Sequence, residues 1–238
     1  MIKAAIFDVF GTVVDWRTGI TAAAGRIFRA GGIDTDPAEF ADAWRAEYQP
    51  GMETVRSGDR GYVPLDDLHF ENLCRILPRF GLADRFSDTG LWELNSAWEA
   101  LPPWPDVVPG LTALKPRMIL GTCSNGSVAL MTRLARHAGL PWDCVLGADT
   151  ARTYKPEPAA YLASAAALRL RPDEVLMVAA HNGDLGAAAA QGLKTAFVPR
   201  PDEYGPGTGE PAPTGPWTLA ASDFNDLARQ LTARHPAT

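Results

Sequence analysis

The sequence contains few cysteines and no long apolar run. Its three cysteines, Cys74, Cys123 and Cys144, lie far apart among 238 residues and fit no zinc-binding spacing. A sparse, odd number of thiols is typical of a reducing compartment, where disulfides are rare. No apolar segment approaches the ~18 to 20 residues of a membrane span, and no basic-then-apolar leader opens the chain. We therefore expect a soluble protein of the cytoplasm.

Clusters of positive charge are also lacking. The 22 Lys and Arg residues face 28 Asp and Glu residues, for a net charge of -6, and no basic run occurs. This balance argues against nucleic acid and against a membrane surface as a partner. The chain has neither a G-x-G-x-x-G motif after a strand nor a Walker loop, so we expect no cofactor. Its 46% hydrophobic and 21% charged residues are ordinary for a globular protein.

What the sequence does contain is a series of short apolar segments that alternate with helical patterns. Such segments, without polar alternation, are typical of parallel strands buried on both faces. They cover residues 3–7, 117–123, 144–148, 175–180 and 195–198. Helices are predicted over 127–138, 158–168, 185–191 and 222–233, the last with Ser222 as its N-cap. This alternation predicts an α/β fold, a doubly wound Rossmann-like parallel sheet.

Residues 16–101 break this alternation, because they contain several helical patterns and no convincing strand. Asp36 and Pro37 supply a capping acid and a proline at the first helical position, and they predict a helix that runs through Tyr48. A second helix is predicted near 65–77, after three glycines that break the chain, at positions 51, 58 and 61. We therefore predict a helical cap domain over residues 15–101, inserted in a core domain formed by residues 1–14 and 102–238.

The tail before the last helix has a different composition. Residues 199–216 are rich in proline and glycine, and they predict a long surface loop.

Polar side chains follow four of the predicted strands. Asp8 ends the first strand, with Gly11 and Thr12 just after it; the others are Ser124, Asn125, Lys155 and Asp184. Taken alone, Asp8 or Ser124 is more often a capping or turn residue, and Lys155 is more often solvated. In an open parallel sheet, however, ligands bind at the carboxyl ends of the strands. Four such groups at successive strand ends therefore point to one crevice.

In their order along the chain, these residues closely resemble the four motifs of the haloacid dehalogenase superfamily. The resemblance covers the whole chain and includes a cap inserted after the first strand. It comprises Asp8 to Thr12, the Ser124-Asn125 pair, Lys155 before Pro156, and Asp184. The first aspartate of that superfamily is a nucleophile and the lysine neutralises charge near it. The resemblance implies these roles for Asp8 and Lys155.

Phe10 indicates which branch of the superfamily the chain resembles. Most members are phosphatases with a second aspartate two residues after the nucleophile, which protonates the leaving alkoxide beside a bound Mg²⁺. With Phe10 there, a phosphatase would lose a general acid worth typically ~100- to 10,000-fold in rate. A halide is the anion of a strong acid and needs no proton on leaving. The stretch from Asp8 to Thr12 thus resembles the type II 2-haloacid dehalogenases, with no metal.

Three more residues are compared with that branch. Arg45 matches an arginine on the early cap helix that faces the halogen, although alone it would be a solvated helix residue. Tyr161 matches a tyrosine that follows the lysine, and it could equally be a core residue. At His181 the chain departs from the usual Ser-Ser-Asn pattern of the branch. It most resembles a subset of these dehalogenases that has Ala-Ala-His at these positions. His181 is either structural or in contact with substrate or water.

The resemblance implies hydrolysis of short (S)-2-haloalkanoic acids to (R)-2-hydroxy acids through an aspartyl ester. It assigns the halide to Arg45 and Asn125 and the substrate carboxylate to Ser124. It assigns the attacking water to Asp184, with Thr12 and His181 as the candidates to assist it. Lys155 would keep Asp8 ionised, because a nearby opposite charge lowers a carboxylate pKa. The candidate substrate-binding and halide-binding residues are Phe10, Arg45, Ser124, Asn125 and Tyr161; the candidate catalytic residues are Asp8, Thr12, Lys155, His181 and Asp184.

Two other functions are compatible with parts of the pattern. One is a superfamily phosphatase acting on a small phosphate ester, which Mg²⁺ dependence would reveal. The other is a receiver-like signalling module, which also has an acceptor aspartate at a strand end but has no use for a helical cap. We expect a small 2-haloacid as the partner. A homodimer is compatible with the sequence.

Overall fold

The core of the molecule is a five-stranded parallel sheet. The computed structural model describes residues 1–234. The strand order is β2-β1-β3-β4-β5, which places β1 between β2 and β3. The strands are β1 Ala4–Phe7, β2 Ile119–Thr122, β3 Val175–Ala179, β4 Lys194–Phe197 and β5 Leu219–Ala220. Because all pairings are parallel, the carboxyl ends of the strands share one edge of the sheet.

Helices cover both faces of this sheet. The core helices are α6 Val107–Leu114, α7 Val128–Ala138, α8 Ala148–Ala151, α9 Pro158–Ala167, α10 Asn182–Ala190 and α11 Phe224–Arg234. Successive residues of β1 alternate between two apolar clusters: Phe7 packs in the cluster that includes α6, α7 and α11, and Ile6 in the cluster that includes α9 and α10. A strand buried on both faces is the signature of a doubly wound sheet, so the predicted fold class is confirmed.

The segment between β1 and β2 is helical. It comprises α1 Trp16–Ala30, α2 Pro37–Ala46, α3 Tyr48–Arg56, α4 Leu65–Ile76 and α5 Asp88–Asn95. Asp36 caps α2 as predicted, since its Oδ1 accepts from the backbone N–H of Ala38 at 2.8 Å. These helices form the inserted cap, while the domain boundaries given above stay a prediction.

Two details of the cap differ from the predictions. The helix that begins at Pro37 ends at Ala46, and Tyr48 opens a separate helix, α3. Gly51 does not break the chain but lies inside α3, where a Cβ would meet the side chain of Asn72 at 3.1 Å. The glycine therefore permits the close approach of α3 and α4. Gly58, with φ +82°, does follow the end of the helix.

The predicted strand at 144–148 is not a regular strand. The segment runs beside β2 with isolated bridges at Cys144 and Gly147. Between them, the hydroxyl of Thr122 donates to Leu146 O at 2.7 Å and accepts from Leu146 N at 3.0 Å. A side chain thus replaces the backbone partner there, and the ladder of a true strand is interrupted.

Two smaller corrections concern the end of the chain. The last helix begins at Phe224, and its cap is Asp223 rather than Ser222, since Asp223 Oδ1 accepts from the backbone N–H of Asp226 at 2.6 Å. The short strand β5 has only two residues, too few for an apolar pattern to reveal it. Within residues 1–234 no helix has both the length and the apolar character of a membrane span.

Candidate active site

Asp8 lies at the carboxyl end of β1 and is held by three side chains. Lys155 Nζ is 2.8 Å from Asp8 Oδ1, while Thr12 Oγ1 at 2.6 Å and His181 Nδ1 at 3.1 Å contact Asp8 Oδ2. Burial works to raise the pKa of Asp8, but the charge of Lys155 and the hydrogen bond and charge of His181 lower it well below its ordinary value. The carboxyl is therefore held in its ionised form.

Lys155 also contacts Asp184, at the start of α10. Its Nζ is 2.5 Å from Asp184 Oδ2, and the hydroxyl of Tyr161 donates to Asp184 Oδ1 at 2.6 Å. Burial works to lower the pKa of Lys155, but the charges of Asp184 and Asp8 raise it well above its ordinary value. The ammonium is thus a permanent charge between two carboxylates. Burial and the charge of Asp184 raise the pKa of Tyr161, so its hydroxyl stays a donor.

Two of the predicted site residues lie behind the others. Thr12 is fully buried and its Oγ1, besides donating to Asp8, accepts from the backbone N–H of Ala180 at 2.9 Å. Ser124 is predicted to hold the substrate carboxylate, but its hydroxyl accepts from the backbone N–H of Gly126 at 3.0 Å and does not line the cavity described below. A residue at a strand end can serve the turn that follows it, and Ser124 does so.

A cavity of about 440 Å³ opens over Asp8, between the sheet edge and the cap. This volume suits a small molecule. The cap supplies Arg45, Tyr48 and Gln49 to its wall. The lining also includes Asp8, Phe10, Asn125, Lys155, Pro156, Tyr161, His181, Gly183, Asp184, Tyr204 and Glu210. Eight of the ten predicted site residues are therefore brought to one cavity, and the exceptions are Thr12 and Ser124.

Phe10 belongs to an aromatic wall of this cavity. Its ring makes edge contacts with Tyr48, His69 and Trp98, at centroid distances of 6.4, 6.1 and 5.6 Å. Phe10 is itself only 3% exposed. The position where a phosphatase would carry its general acid is thus occupied by an aromatic ring packed among other aromatic rings.

Arg45 brings an unpaired donor to the cavity. Its guanidinium carbon lies 3.9 Å from the ring centroid of Tyr48 and 5.1 Å from that of Trp16. Among the described residues, its buried Nη1 has no hydrogen-bond partner. A cationic donor held by aromatic rings and left unpaired is suited to receive an anion. Asn125, on the sheet edge, accepts from the backbone N–H of Lys155 at 2.9 Å, which fixes its amide in the same cavity.

The loop at 199–216 contributes residues that the sequence did not single out. It has no regular helix or strand, as predicted, but it is not a mere surface loop. Arg200 donates from Nε to Thr12 O at 2.9 Å and pairs with Asp106 at 2.8 Å. This anchor brings Glu203 against His181 and Tyr204 into the cavity wall. The one available signal was a set of four charged residues in an otherwise Pro- and Gly-rich segment, Arg200, Asp202, Glu203 and Glu210.

His181 bridges two carboxylates. Its Nδ1 is 3.1 Å from Asp8 Oδ2 and its Nε2 is 2.7 Å from Glu203 Oε2. Burial works to lower the pKa of His181, but the hydrogen bonds and charges of Asp8 and Glu203 raise it to about 10. His181 therefore touches Asp8, and its two contacts favour the positively charged ring. Across residues 1–234, no group of three or more His, Cys, Asp and Glu side chains is arranged to hold a metal ion.

Comparison with known proteins places these features in a family. The model of the haloacid dehalogenase-like hydrolases matches residues 2–192. The chain belongs to this family of hydrolases. It is 31% identical over 209 residues to (S)-2-haloacid dehalogenase 1 of Pseudomonas sp. (strain CBS-3), which covers 85% of this chain and 88% of that one. It is 30% identical over 204 residues to the (S)-2-haloacid dehalogenase of Xanthobacter autotrophicus, with 84% and 76% covered.

Solved structures agree with this placement. The defluorinating L-2-haloacid dehalogenase Rha0230 superposes with a TM-score of 0.95 at 50% identity, covering 97% of this chain and 95% of that one. The L-2-haloacid dehalogenase of Xanthobacter autotrophicus with chloropropionic acid covalently bound gives a TM-score of 0.81 at 25% identity, with all of both chains covered. The cap and the sheet are thus shared with dehalogenases.

Proposed function

We propose that this protein is a hydrolase of carbon–halide bonds that converts short (S)-2-haloalkanoic acids to (R)-2-hydroxy acids. The observation that carries the proposal is the surroundings of Asp8: an ionised carboxylate beside Lys155, in a cavity that the ring of Phe10 also lines. Such a group can attack carbon, and the position two residues on, where a phosphatase carries the acid that protonates its leaving alkoxide, is a phenylalanine. The relatives with the same fold are 2-haloacid dehalogenases, which supports the same substrate class here.

In the first half-reaction, Asp8 attacks the carbon that bears the halogen. The new C–O bond forms as the C–halogen bond breaks, and the halide leaves with the bonding electron pair. The free donor of Arg45 and the amide of Asn125 are placed to receive this anion. Lys155 keeps Asp8 ionised before attack, because it lies 2.8 Å from the carboxylate.

In the second half-reaction, water hydrolyses the aspartyl ester. Asp184 is the base that directs the water, and Tyr161 and Lys155 hold its two oxygens at 2.6 and 2.5 Å. Thr12 fixes Asp8 from behind the cavity. The substrate is a small 2-haloacid, and no cofactor takes part in either step.

A halide-release panel tests this proposal. The enzyme is incubated with fluoro-, chloro- and bromoacetate and with both enantiomers of 2-chloropropionate, and free halide is measured. We expect release from chloro- and bromoacetate and from the (S) enantiomer, and none from an Asp8→Asn variant. Fluoroacetate belongs in the panel because a relative at 50% identity is described as defluorinating. Phosphate release from a small ester with Mg²⁺, without any halide release, would establish the phosphatase function instead.

Three further points belong to this proposal. The helical segment 15–101 acts as a cap domain over a core of 1–14 and 102–238, because the cavity lies where they meet. The free thiols of Cys74, Cys123 and Cys144 suit the reducing cytoplasm. A homodimer is the assembly to test, by size-exclusion chromatography with light scattering.

A further inference from the structure

His181 lies between two carboxyl groups. Its two ring nitrogens face Asp8 Oδ2 and Glu203 Oε2, at 3.1 and 2.7 Å. An ionised carboxylate has lone pairs but no proton to donate, so each ring nitrogen must carry its own hydrogen to make both contacts. With both carboxyl groups ionised, the geometry therefore calls for the imidazolium, with Nδ1–H directed at Asp8.

Glu203 is built into this position. Its side chain is buried at 1% exposure, and Trp16 Nε1 donates to its Oε1 at 3.2 Å. Gly11 makes room for it: at φ +88°, a Cβ on Gly11 would lie 2.1 Å from Glu203 Oε1. Since the turn after β1 must lack a side chain for the carboxylate to fit, Glu203 is part of the packing beneath the nucleophile and not a chance contact.

The two oxygens of Asp8 have different surroundings. Oδ1 is contacted by Lys155 alone, whereas Oδ2 receives both the Thr12 hydroxyl at 2.6 Å and the His181 ring N–H. Two donors converging on one oxygen are the arrangement of an oxyanion site. Oδ1 keeps a lone pair for attack on carbon, so Oδ2 becomes the carbonyl oxygen of the ester.

We propose that Glu203 is a positioning residue for ester hydrolysis: it holds the imidazolium of His181 so that Nδ1–H stabilises the oxyanion formed on Asp8 Oδ2. This inference rests on the proposed function. Water adds to Cγ of the ester, giving one proton to Asp184, while the C=O π electrons move to Oδ2. The Cγ–Oδ1 bond then breaks, and the leaving alkoxide takes the proton from Asp184. The 2-hydroxy acid departs, and Asp8 regains its carboxylate by losing the second water proton to solvent.

The inference predicts that Glu203→Gln separates the two half-reactions. Glutamine has the shape of glutamate but no charge, so the donor on Oδ2 is weakened while Lys155 and Oδ1 are left in place. We expect a stoichiometric burst of halide at the parent rate, followed by ester hydrolysis slowed roughly 10- to 100-fold. Mass measurement should then show the covalent intermediate accumulating on Asp8. The matched control is Asp202→Asn, an exposed neighbour on the same loop, which should leave both phases unchanged.

A double-mutant cycle tests whether Glu203 acts through the histidine. In a His181→Asn background, Glu203→Gln should change the hydrolysis rate by less than roughly twofold, because the group that it positions is gone. Equal slowing of both half-reactions, full hydrolysis in Glu203→Gln, or additive effects in the cycle would each overturn the inference.

Two measurements on the parent enzyme complete the test. Nitrogen NMR of the His181 ring should show both nitrogens protonated at about pH 8, where an ordinary histidine is neutral. A singly protonated ring would overturn the inference even if the variants did not fold. A parent enzyme that releases no halide from any 2-haloacid would contradict the proposed function itself, whereas turnover with an unaffected Glu203→Gln variant contradicts only the role of Glu203.

Discussion

Replacing Arg45 should lower activity strongly and change stability little. Methionine at this position keeps an apolar stem of similar length but removes the guanidinium. In the resting enzyme this group stacks at 3.9 Å on the Tyr48 ring, and its buried Nη1 has no partner among the described residues. The residue therefore carries a donor that is satisfied only when an anion enters the cavity.

The structure sets the size of each effect. Removing a buried, unsatisfied donor stabilises the resting fold by about 1 to 3 kcal/mol. Losing the cation–π contact costs about 0.5 to 2 kcal/mol, so the free energy of unfolding should change by between about −1 and +2.5 kcal/mol. Halide departure, in contrast, loses an electrostatic contact worth roughly 2 to 4 kcal/mol, a decrease in kcat of about 30- to 1,000-fold.

Steady-state halide release and thermal unfolding of Arg45→Met measure the two quantities on one sample. Arg45→Lys should retain more activity than Arg45→Met, since it keeps the charge but not the planar stacking. Arg26→Met, at an exposed position of α1, is the matched control and should resemble the parent. Full activity of Arg45→Met would mean that Arg45 is an ordinary residue of the helix surface. A loss of stability above about 4 kcal/mol would make its role structural.

Three further predictions follow from the same site. Because Phe10 replaces the phosphatase acid, halide release should be unchanged by excess EDTA, and metal-dependent dehalogenation would contradict this. Attack by Asp8 from the face opposite the halogen should convert (S)-2-chloropropionate to (R)-lactate. In a single turnover in ¹⁸O-labelled water, the label should enter Asp8. Label in the first product would contradict attack by Asp8. Burial and the charge of Arg45 lower the pKa of His69 well below 6.5, so the unfolded chain binds more protons in acid. As the pH falls below about 6.5, the free energy of unfolding of the parent should decrease by up to roughly 1.4 kcal/mol per pH unit. Thermal unfolding of His69→Phe should show a less steep decrease, and equal slopes would contradict this.

The sheet could be predicted because its strands are buried on both faces. β1 and β3 have no exposed residue, so their segments are uniformly apolar and stand out from the helical patterns between them. The segment at 144–148 is also apolar, but its residues 144–146 are only half-buried. Its ladder with β2 is interrupted, because the Thr122 side chain accepts the N–H of Leu146 in place of a backbone carbonyl. An apolar composition does not report which atom completes a hydrogen bond.

The residues of the site also fall into those that the sequence can predict and those that it cannot. Asp8, Asn125 and Asp184 follow strands of one parallel sheet, and topology alone brings the carboxyl ends of those strands together. Glu203 reaches the site by a different route. Its loop is fastened by Arg200, which bonds the backbone of Thr12 and the side chain of Asp106. Such a tertiary anchor has no periodicity, so a sequence pattern could not reveal it.

The charges around the nucleophile suit both halves of the proposed reaction. Three carboxylates, Asp8, Asp184 and Glu203, face two cations, Lys155 and His181, which leaves one negative charge in excess before attack. Alkylation turns Asp8 into a neutral ester, and that excess charge departs with the halide. The two cations are then balanced by the two remaining carboxylates, and the His181 N–H that had held a carboxylate oxygen faces an ester carbonyl. Water attack returns negative charge to that same oxygen, so a donor that already lies on Oδ2 in the first step needs no movement to stabilise the oxyanion in the second.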